Sequence, residues 1–171
     1  MSEERRRVLL SECTLLDVEA QIARSPKVIV PVGSTEQHGP HAPFGTDWML
    51  STEVSTRLAR RIDALVAPAL SYGVAGDHLG YAGVPFISPK TMTRLVQDVV
   101  RSLAAGGFRE IILVNGHYTN VISLSAAIME IGHELPKGTI AFPFNYWDAL
   151  PPGEREAVSY THLTLPTILR V

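Results

Sequence analysis

The sequence contains a single cysteine, Cys13, so it cannot form an internal disulfide bond. A chain without disulfides suits a reducing compartment, and we therefore expect a cytoplasmic protein. The sequence also lacks an apolar run of the roughly 18 residues that a membrane-spanning helix requires, and no signal-peptide core follows Met1. From these absences we expect no membrane partner.

The sequence has no excess of positive charge. It has 15 Lys and Arg residues against 17 Asp and Glu residues, for a formal net charge of −2. Because nucleic-acid binding needs concentrated positive charge, we expect no nucleic-acid partner. Neither glycine-rich phosphate-loop pattern is present, which disfavours a nucleotide-binding module. With 46% hydrophobic residues in 171, the chain is long and apolar enough for one globular domain.

Short apolar runs alternate with amphipathic stretches. Four runs read as strands, at 27–32, 64–70, 111–114 and 139–143. Thr14 and Asp17 resemble a capping box and predict a helix over 14–24, and helical spacing predicts helices over 48–62, 91–105 and 121–131. A chain in which strand and helix alternate predicts a mostly parallel sheet with helices on both faces. The segment 71–89 is rich in glycine and proline and is predicted to be a long loop, either functional or an ordered connection of its own.

Ligand-type side chains follow the first apolar run directly. Glycine and proline interrupt regular structure after Val32, and the loop then carries Glu36, His38 and Asp47. Glu36 and His38 are two residues apart, so on extended backbone their side chains point the same way. A carboxylate and an imidazole aimed at one point, with a second carboxylate at Asp47, indicate a divalent-metal site.

A second loop, containing His117, follows the third apolar run. Because the carboxyl ends of parallel strands meet at one edge of a sheet, His117 is expected near Glu36, His38 and Asp47. Two imidazoles and two carboxylates suit Zn²⁺ or Mn²⁺, whereas Ca²⁺ prefers oxygen ligands alone. To enclose two ions, one carboxylate would have to bridge them.

Taken singly, each of these side chains has a structural alternative. Asp47 stands where a helix N-cap would stand, and His38 could simply bond a loop carbonyl. Glu36 alone could be solvated, and His117 could be buried beside a site without binding to it. His78 lies in the long loop. It either lines a substrate pocket or belongs to the surface of the loop.

Two segments resemble the signatures of a known enzyme family. They are Val-Gly-Ser-Thr-Glu-Gln-His-Gly-Pro-His-Ala-Pro-Phe-Gly-Thr-Asp, at 32–47, and Val-Asn-Gly-His-Tyr-Thr-Asn, at 114–120. Both are similar to signature segments of the creatininase (creatinine amidohydrolase) family, in a resemblance that spans roughly residues 8–150. The resemblance implies a three-layer α/β/α fold with a mostly parallel central sheet. It also implies a two-metal amidohydrolase that acts on a small molecule and forms a homo-oligomer, a hexamer in this family.

The resemblance also implies roles for individual residues. Carried over by position, Glu36 and His117 would hold one metal ion, His38 the second, and Asp47 would bridge the two. Zinc or manganese is the implied ion, and Glu36 and His117 would thereby serve catalysis. In creatininase proper, however, a glutamate ligand of the second metal stands where this chain has Thr119. A hydroxyl is a poor ligand, so we expect the second site to be weaker or completed by water.

Aromatic residues favour the cyclic-amide branch of the family. Trp147 resembles the tryptophan that closes over the substrate, which gives it both a catalytic and a substrate-binding role. Tyr118 and His78 are the other expected substrate contacts. The expected reaction is hydrolysis of a C–N amide bond in a small amide such as creatinine. A relative that cleaves a formamide or a short peptide, and a metal-binding but impaired subunit, are the alternatives.

The C-terminal stretch departs from the family. Members of the creatininase family run longer and carry a later histidine and a Glu-Thr-Ser segment. Neither is present in this sequence. The segment 159–167 resembles translated adaptor sequence, although an ordinary edge strand with a short tail is the alternative. We predict a C-terminally truncated amidohydrolase domain over 1–157 and a non-native tail over 158–171.

Overall fold

The computed structural model describes residues 7–151, which form a parallel sheet between layers of helices. The helices are α1 (Leu15–Arg24), α2 (Thr46–Ile62), α3 (Pro89–Ala105) and α4 (Val121–Ile131). The strands are β1 (Lys27–Val32), β2 (Leu65–Val66), β3 (Glu110–Asn115) and β4 (Ile140–Asn145). They lie in the order β2-β1-β3-β4, and every neighbouring pair is parallel. The predicted three-layer α/β/α fold is confirmed.

The two central strands supply a core on each face of the sheet. Val30 and Leu113 pack on the face that α3 and α4 cover. Ile29 and Val114 point the other way, into the core beneath α2. All four side chains are fully buried. Burial on both faces explains why these strands read as continuous apolar runs without alternation.

The second strand is shorter than the predicted run of 64–70. The chain leaves the ladder after Val66 and returns only at Leu70, which forms an isolated bridge with Val32. Pro31 accepts a hydrogen bond from the Leu70 N–H but has no N–H of its own to donate, and Pro68 has none either. A continuous ladder therefore cannot form here, whatever the apolar content of the run.

Helix starts differ from the sequence prediction in two places. α3 begins at Pro89, two residues earlier than predicted, because Ser88 caps it by accepting a hydrogen bond from the Thr91 N–H. The N-cap of α2 is Gly45, so the interpretation of Asp47 as an N-cap is wrong. Asp47 lies within the first turn of α2 and is fully buried.

Register places the ends of three strands at the same edge of the sheet. Val32 is paired with Asn115, and Asn115 with Asn145. The loops that follow β1, β3 and β4 therefore leave from one rim. None of the helices between residues 7 and 151 is long and apolar enough to cross a membrane. The predicted tail over 158–171 lies outside the described residues.

Candidate metal centre

The first turn of α2 lies between the ends of β1 and β3 at very short range. A Cβ atom built on Gly33 would lie 2.4 Å from the backbone nitrogen of Trp48. One built on Gly116 would lie 2.4 Å from the backbone carbonyl oxygen of Asp47. Real side chains do not tolerate such contacts, so only glycine allows this approach at either position. The two glycines thereby let the α2 backbone bring Asp47 to the rim.

Four predicted ligand side chains meet at this point. His117 Nδ1 lies 2.9 Å from Asp47 Oδ2 and 3.4 Å from Glu36 Oε2. Glu36, Asp47 and His117 are all buried, and each offers a ligand atom within 4.8 Å of the others. His38 Nε2 lies 3.1 Å from the other Asp47 oxygen, Oδ1. The carboxylate of Asp47 therefore stands between two imidazoles, as a bridging ligand would.

Backbone carbonyls orient both histidines. His38 Nδ1 lies 3.1 Å from the Glu36 carbonyl oxygen, and His117 Nε2 lies 3.1 Å from the Val74 carbonyl oxygen. A carbonyl can only accept, so these ring nitrogens carry protons and donate them. Once the ring is neutral, the opposite nitrogen, which faces Asp47, presents a lone pair. This is the arrangement in which protein imidazoles bind metals.

The charge balance of the cluster favours a cation. Burial raises the pKa of Glu36 above its ordinary value, and the nearby histidines, His117 first, offset only part of that effect. Its Oε2 atom is buried and accepts no hydrogen bond from the described residues. A buried carboxylate oxygen without such a partner is costly, and a divalent cation would satisfy it. The donor set of nitrogen and carboxylate oxygen fits Zn²⁺ or Mn²⁺.

Protons compete for the same histidine nitrogens. Burial alone lowers the pKa of His117, but its hydrogen bond with Asp47 and the charges of Glu36 and Asp47 raise it above the ordinary value. Burial is also the largest single effect on the pKa of His38 and lowers it, but the hydrogen bonds to Asp47 and to the Glu36 carbonyl, together with the charges of both carboxylates, raise that pKa above its ordinary value. Cation binding at this cluster must therefore displace protons.

The predicted substrate contacts lie around the cluster. His78 Nδ1 is 3.9 Å from Glu36 Oε2, and its side chain is mostly buried. The ring of Trp147 lies 6.4 Å from that of Tyr118, centroid to centroid, with an interplanar angle of 35°. Tyr118 is 62% exposed, so its face is open to solvent. Tyr146, which was not predicted, packs edge-on against Trp147, and burial raises the pKa of Tyr146 to about 12.

Buried asparagines, also not predicted from the sequence, hold the loops together. The Asn120 amide donates to the Gly33 carbonyl at 3.0 Å and accepts from the Val74 N–H at 2.9 Å. Asn115 accepts from the His117 N–H at 3.1 Å and donates to the His117 carbonyl at 2.9 Å. Their position just at or after a strand end is the one sequence signal that could have identified them.

Comparisons with known proteins point to one family. The creatininase family model, described as creatinine amidohydrolase, matches residues 11–164. Creatinine amidohydrolase of Pseudomonas putida is 36% identical over 153 residues, which cover 82% of this chain and 58% of the relative. A mycofactocin precursor peptide peptidase of Mycobacterium tuberculosis is 39% identical over 114 residues, which cover 61% of this chain and 45% of the relative.

Solved structures agree with the sequence comparison. An Mn form of creatininase superposes with a TM-score of 0.78 at 33% identity, covering 86% of this chain and 62% of that chain. A mutant creatininase of Zn–Zn type gives a TM-score of 0.75 at 34% identity, with the same coverage. The chain therefore spans less than two thirds of the length of these relatives.

Adding a methyl group at Gly116 should disturb the cluster. We expect Gly116→Ala to destabilise the fold by about 1–3 kcal/mol, the usual cost of overpacking, and to weaken Zn²⁺ binding because Asp47 must move. Gly132→Ala is the matched control, since a Cβ there would meet nothing within 4 Å. Urea unfolding and chelator competition measure the two effects. Parent-like values for Gly116→Ala would contradict the close-approach argument.

Zinc affinity should rise with pH. Since the pKa values of His38 and His117 are raised, their protons persist to higher pH and must leave when the cation binds. We expect the affinity to gain about tenfold per pH unit for each proton displaced and to level off above the histidine pKa values. Chelator competition between about pH 5.5 and about pH 8 tests this. His133 is exposed, so His133→Gln is the control and should leave the dependence of zinc affinity on pH unchanged. A zinc affinity of the parent that does not change with pH would refute the prediction.

Proposed function

The chain belongs to the creatininase family, and we propose that it is a metal-dependent amidohydrolase that cleaves a C–N amide bond in a small cyclic amide such as creatinine. The observation that carries the proposal is the buried meeting of Glu36, Asp47 and His117, with His38 on the second Asp47 oxygen. The identity with the Pseudomonas putida enzyme over 82% of this chain supports the same reaction class.

In this proposal the ligand set divides between two cations. Glu36 and His117 would hold one ion, His38 would hold the other, and Asp47 would serve both. Zinc or manganese is the proposed metal, since both ions accept nitrogen and carboxylate oxygen, and Zn–Zn and Mn forms occur among the similar structures. The second ion has two described protein ligands against three for the first, so we expect it to bind more weakly.

A divalent cation held here would polarise an amide carbonyl and would lower the pKa of water towards about 7. The chain's own residues do the rest. Asp47 and Glu36 are buried at the rim, so a cation that they held would have a fixed position. An amide carbonyl oxygen could then point at that positive charge. Tyr118 and Trp147 present two aromatic rings at the same rim, against which a flat ring can pack.

His78 is the proposed polar contact to the substrate. Its Nδ1 atom is buried and makes no hydrogen bond within the described residues. The carboxylate of its neighbour Asp77 lies 3.8 Å from the opposite ring nitrogen, Nε2. A buried nitrogen that lacks a hydrogen-bond partner and lies beside the metal cluster is suited to contact a polar atom of the substrate.

A peptide or formamide substrate is the second candidate. The supporting observation is the 39% identity to the mycofactocin precursor peptide peptidase over 114 residues. Tyr118 and Trp147 favour the cyclic amide, because a pair of neighbouring aromatic rings suits a flat ring better than an extended chain. A metal-binding subunit without turnover is the third candidate, since the cluster of Glu36, Asp47 and His117 could hold a cation whether or not an amide is hydrolysed.

Replacing Glu36 should abolish turnover and release the metal. Glu36→Gln removes one charge from the ligand set, so we expect loss of bound Zn²⁺ and a fall in creatinine hydrolysis at least as large as the roughly 10²–10³-fold loss of a single oxyanion-stabilising donor. Glu53→Gln, on the exposed face of α2, is the control and should match the parent. Metal analysis and a creatine-release assay measure both effects. Hydrolysis that persists in a chelated, metal-free sample would reject the scheme.

A substrate panel separates the candidates. The zinc-loaded chain is assayed with creatinine, a formylated aminopyrimidine and a short peptide under identical conditions. Faster turnover of creatinine supports the first proposal, and faster turnover of either other substrate supports the second. Bound metal with no hydrolysis of any of the three indicates the metal-binding subunit.

A further inference from the structure

Thr119 lies behind His117 as seen from the carboxylates. Its hydroxyl contacts His117 Nε2, whereas Glu36 and Asp47 both face Nδ1. The same hydroxyl donates a hydrogen bond to the Val74 carbonyl oxygen. In this orientation the Thr119 oxygen is directed away from the carboxylate oxygens that would bind a cation.

The three groups at Nε2 are mutually consistent with only one arrangement of protons. The Val74 carbonyl can only accept, so it accepts both from the Thr119 hydroxyl and from His117 Nε2–H. Having donated its one hydrogen to Val74, the Thr119 oxygen is left to accept from Nε2–H as well. The proton on Nε2 therefore has two acceptors, and the ring cannot rotate without losing both.

The acceptors are themselves fixed in place. Asn120 accepts from the Val74 N–H at 2.9 Å and donates to the Gly33 carbonyl at 3.0 Å, so the loop that carries Val74 is tied to the end of β1. Asn120 is fully buried, which protects these bonds from exchange with water. Thr119 is β-branched, so its own rotamer freedom is small.

We propose that Thr119 is a positioning residue for His117: its hydroxyl, together with the Val74 carbonyl, holds Nε2–H and thereby keeps Nδ1 aimed at Glu36 and Asp47. The hydroxyl thus stabilises the first cation indirectly and is not a ligand of the second. The part of this inference that concerns cation affinity rests on the proposed function. The part that concerns the Nε2–H proton does not, since it can be observed without metal.

The test compares variants that keep or remove the hydroxyl. Thr119→Val removes it at nearly constant shape, and Thr119→Ser retains it. Thr56→Val is the matched control, because the Thr56 hydroxyl also donates to a backbone carbonyl, that of Thr52 at 2.8 Å, but within α2 and away from the cluster. Two quantities are measured on the full chain: the Zn²⁺ dissociation constant by chelator competition, and the His117 Nε2–H NMR signal with its rate of exchange with water.

We expect Thr119→Val to weaken Zn²⁺ binding by about 10–100-fold, the usual cost of removing a group that orients a metal-binding histidine. In this variant the His117 Nε2–H signal should shift, and that proton should exchange with water faster, both in the metal-free and in the zinc-loaded chain. Thr119→Ser and Thr56→Val should behave like the parent in both measurements. If Thr119→Val does not fold, Thr119→Ala against Thr119→Ser makes the same comparison.

Two outcomes would overturn the inference. One is parent-like Zn²⁺ affinity and an unchanged Nε2–H signal in a folded variant that lacks the hydroxyl. The other is a loss in Thr119→Ser as large as that in Thr119→Val, which would mean that shape and not hydrogen bonding matters. A parent chain that binds no Zn²⁺ would instead refute the proposed function, and the Nε2–H signal of the metal-free variants would then decide the inference by itself.

Discussion

The rim of this protein depends on burying the Asp47 carboxylate between two imidazoles, one on each of its oxygens. A second carboxylate, Glu36, is buried beside it. Two negative charges taken out of water are stable only if positive charge meets them. The N-terminal dipole of α2 supplies partial positive charge at its first turn. The histidines supply further positive charge when they are protonated. A divalent cation offers the most.

Proton and metal are therefore alternative partners for the same group of atoms. In the absence of a cation, the nitrogens that face Asp47 attract protons, which is why the pKa values of His38 and His117 lie above their ordinary range. If a cation bound here, those protons would have to leave so that the histidine lone pairs could serve as ligands. The backbone carbonyls behind the rings serve in both states, because they always accept from the far nitrogen.

The sequence predicted the layers and the meeting of the ligands for a topological reason. Once the apolar runs are strands and the connections are helical, the sheet is parallel and the loops after β1 and β3 must share a rim. Contacts through backbone carbonyls, such as that of Val74, were not predictable, because they depend on the path of the loop 71–89, which has no periodic pattern. The orientation of Thr119 was missed for the same reason. Asp47 was ambiguous because a cap and a ligand use the same side chain at the same helix end.

The support behind each imidazole differs, and this difference bears on how the two ions would be held. His117 follows the buried end of β3, and its ring is backed by Thr119 and by the Val74 carbonyl; Asn120 ties Val74 to the end of β1. His38 lies in the loop between β1 and α2, and its far nitrogen bonds the carbonyl of Glu36 in that same loop. A ligand fixed by several elements loses less entropy on binding than one fixed within a single loop. In the proposed two-metal scheme, a cation on the His117 side of Asp47 would therefore be held more firmly than one on the His38 side.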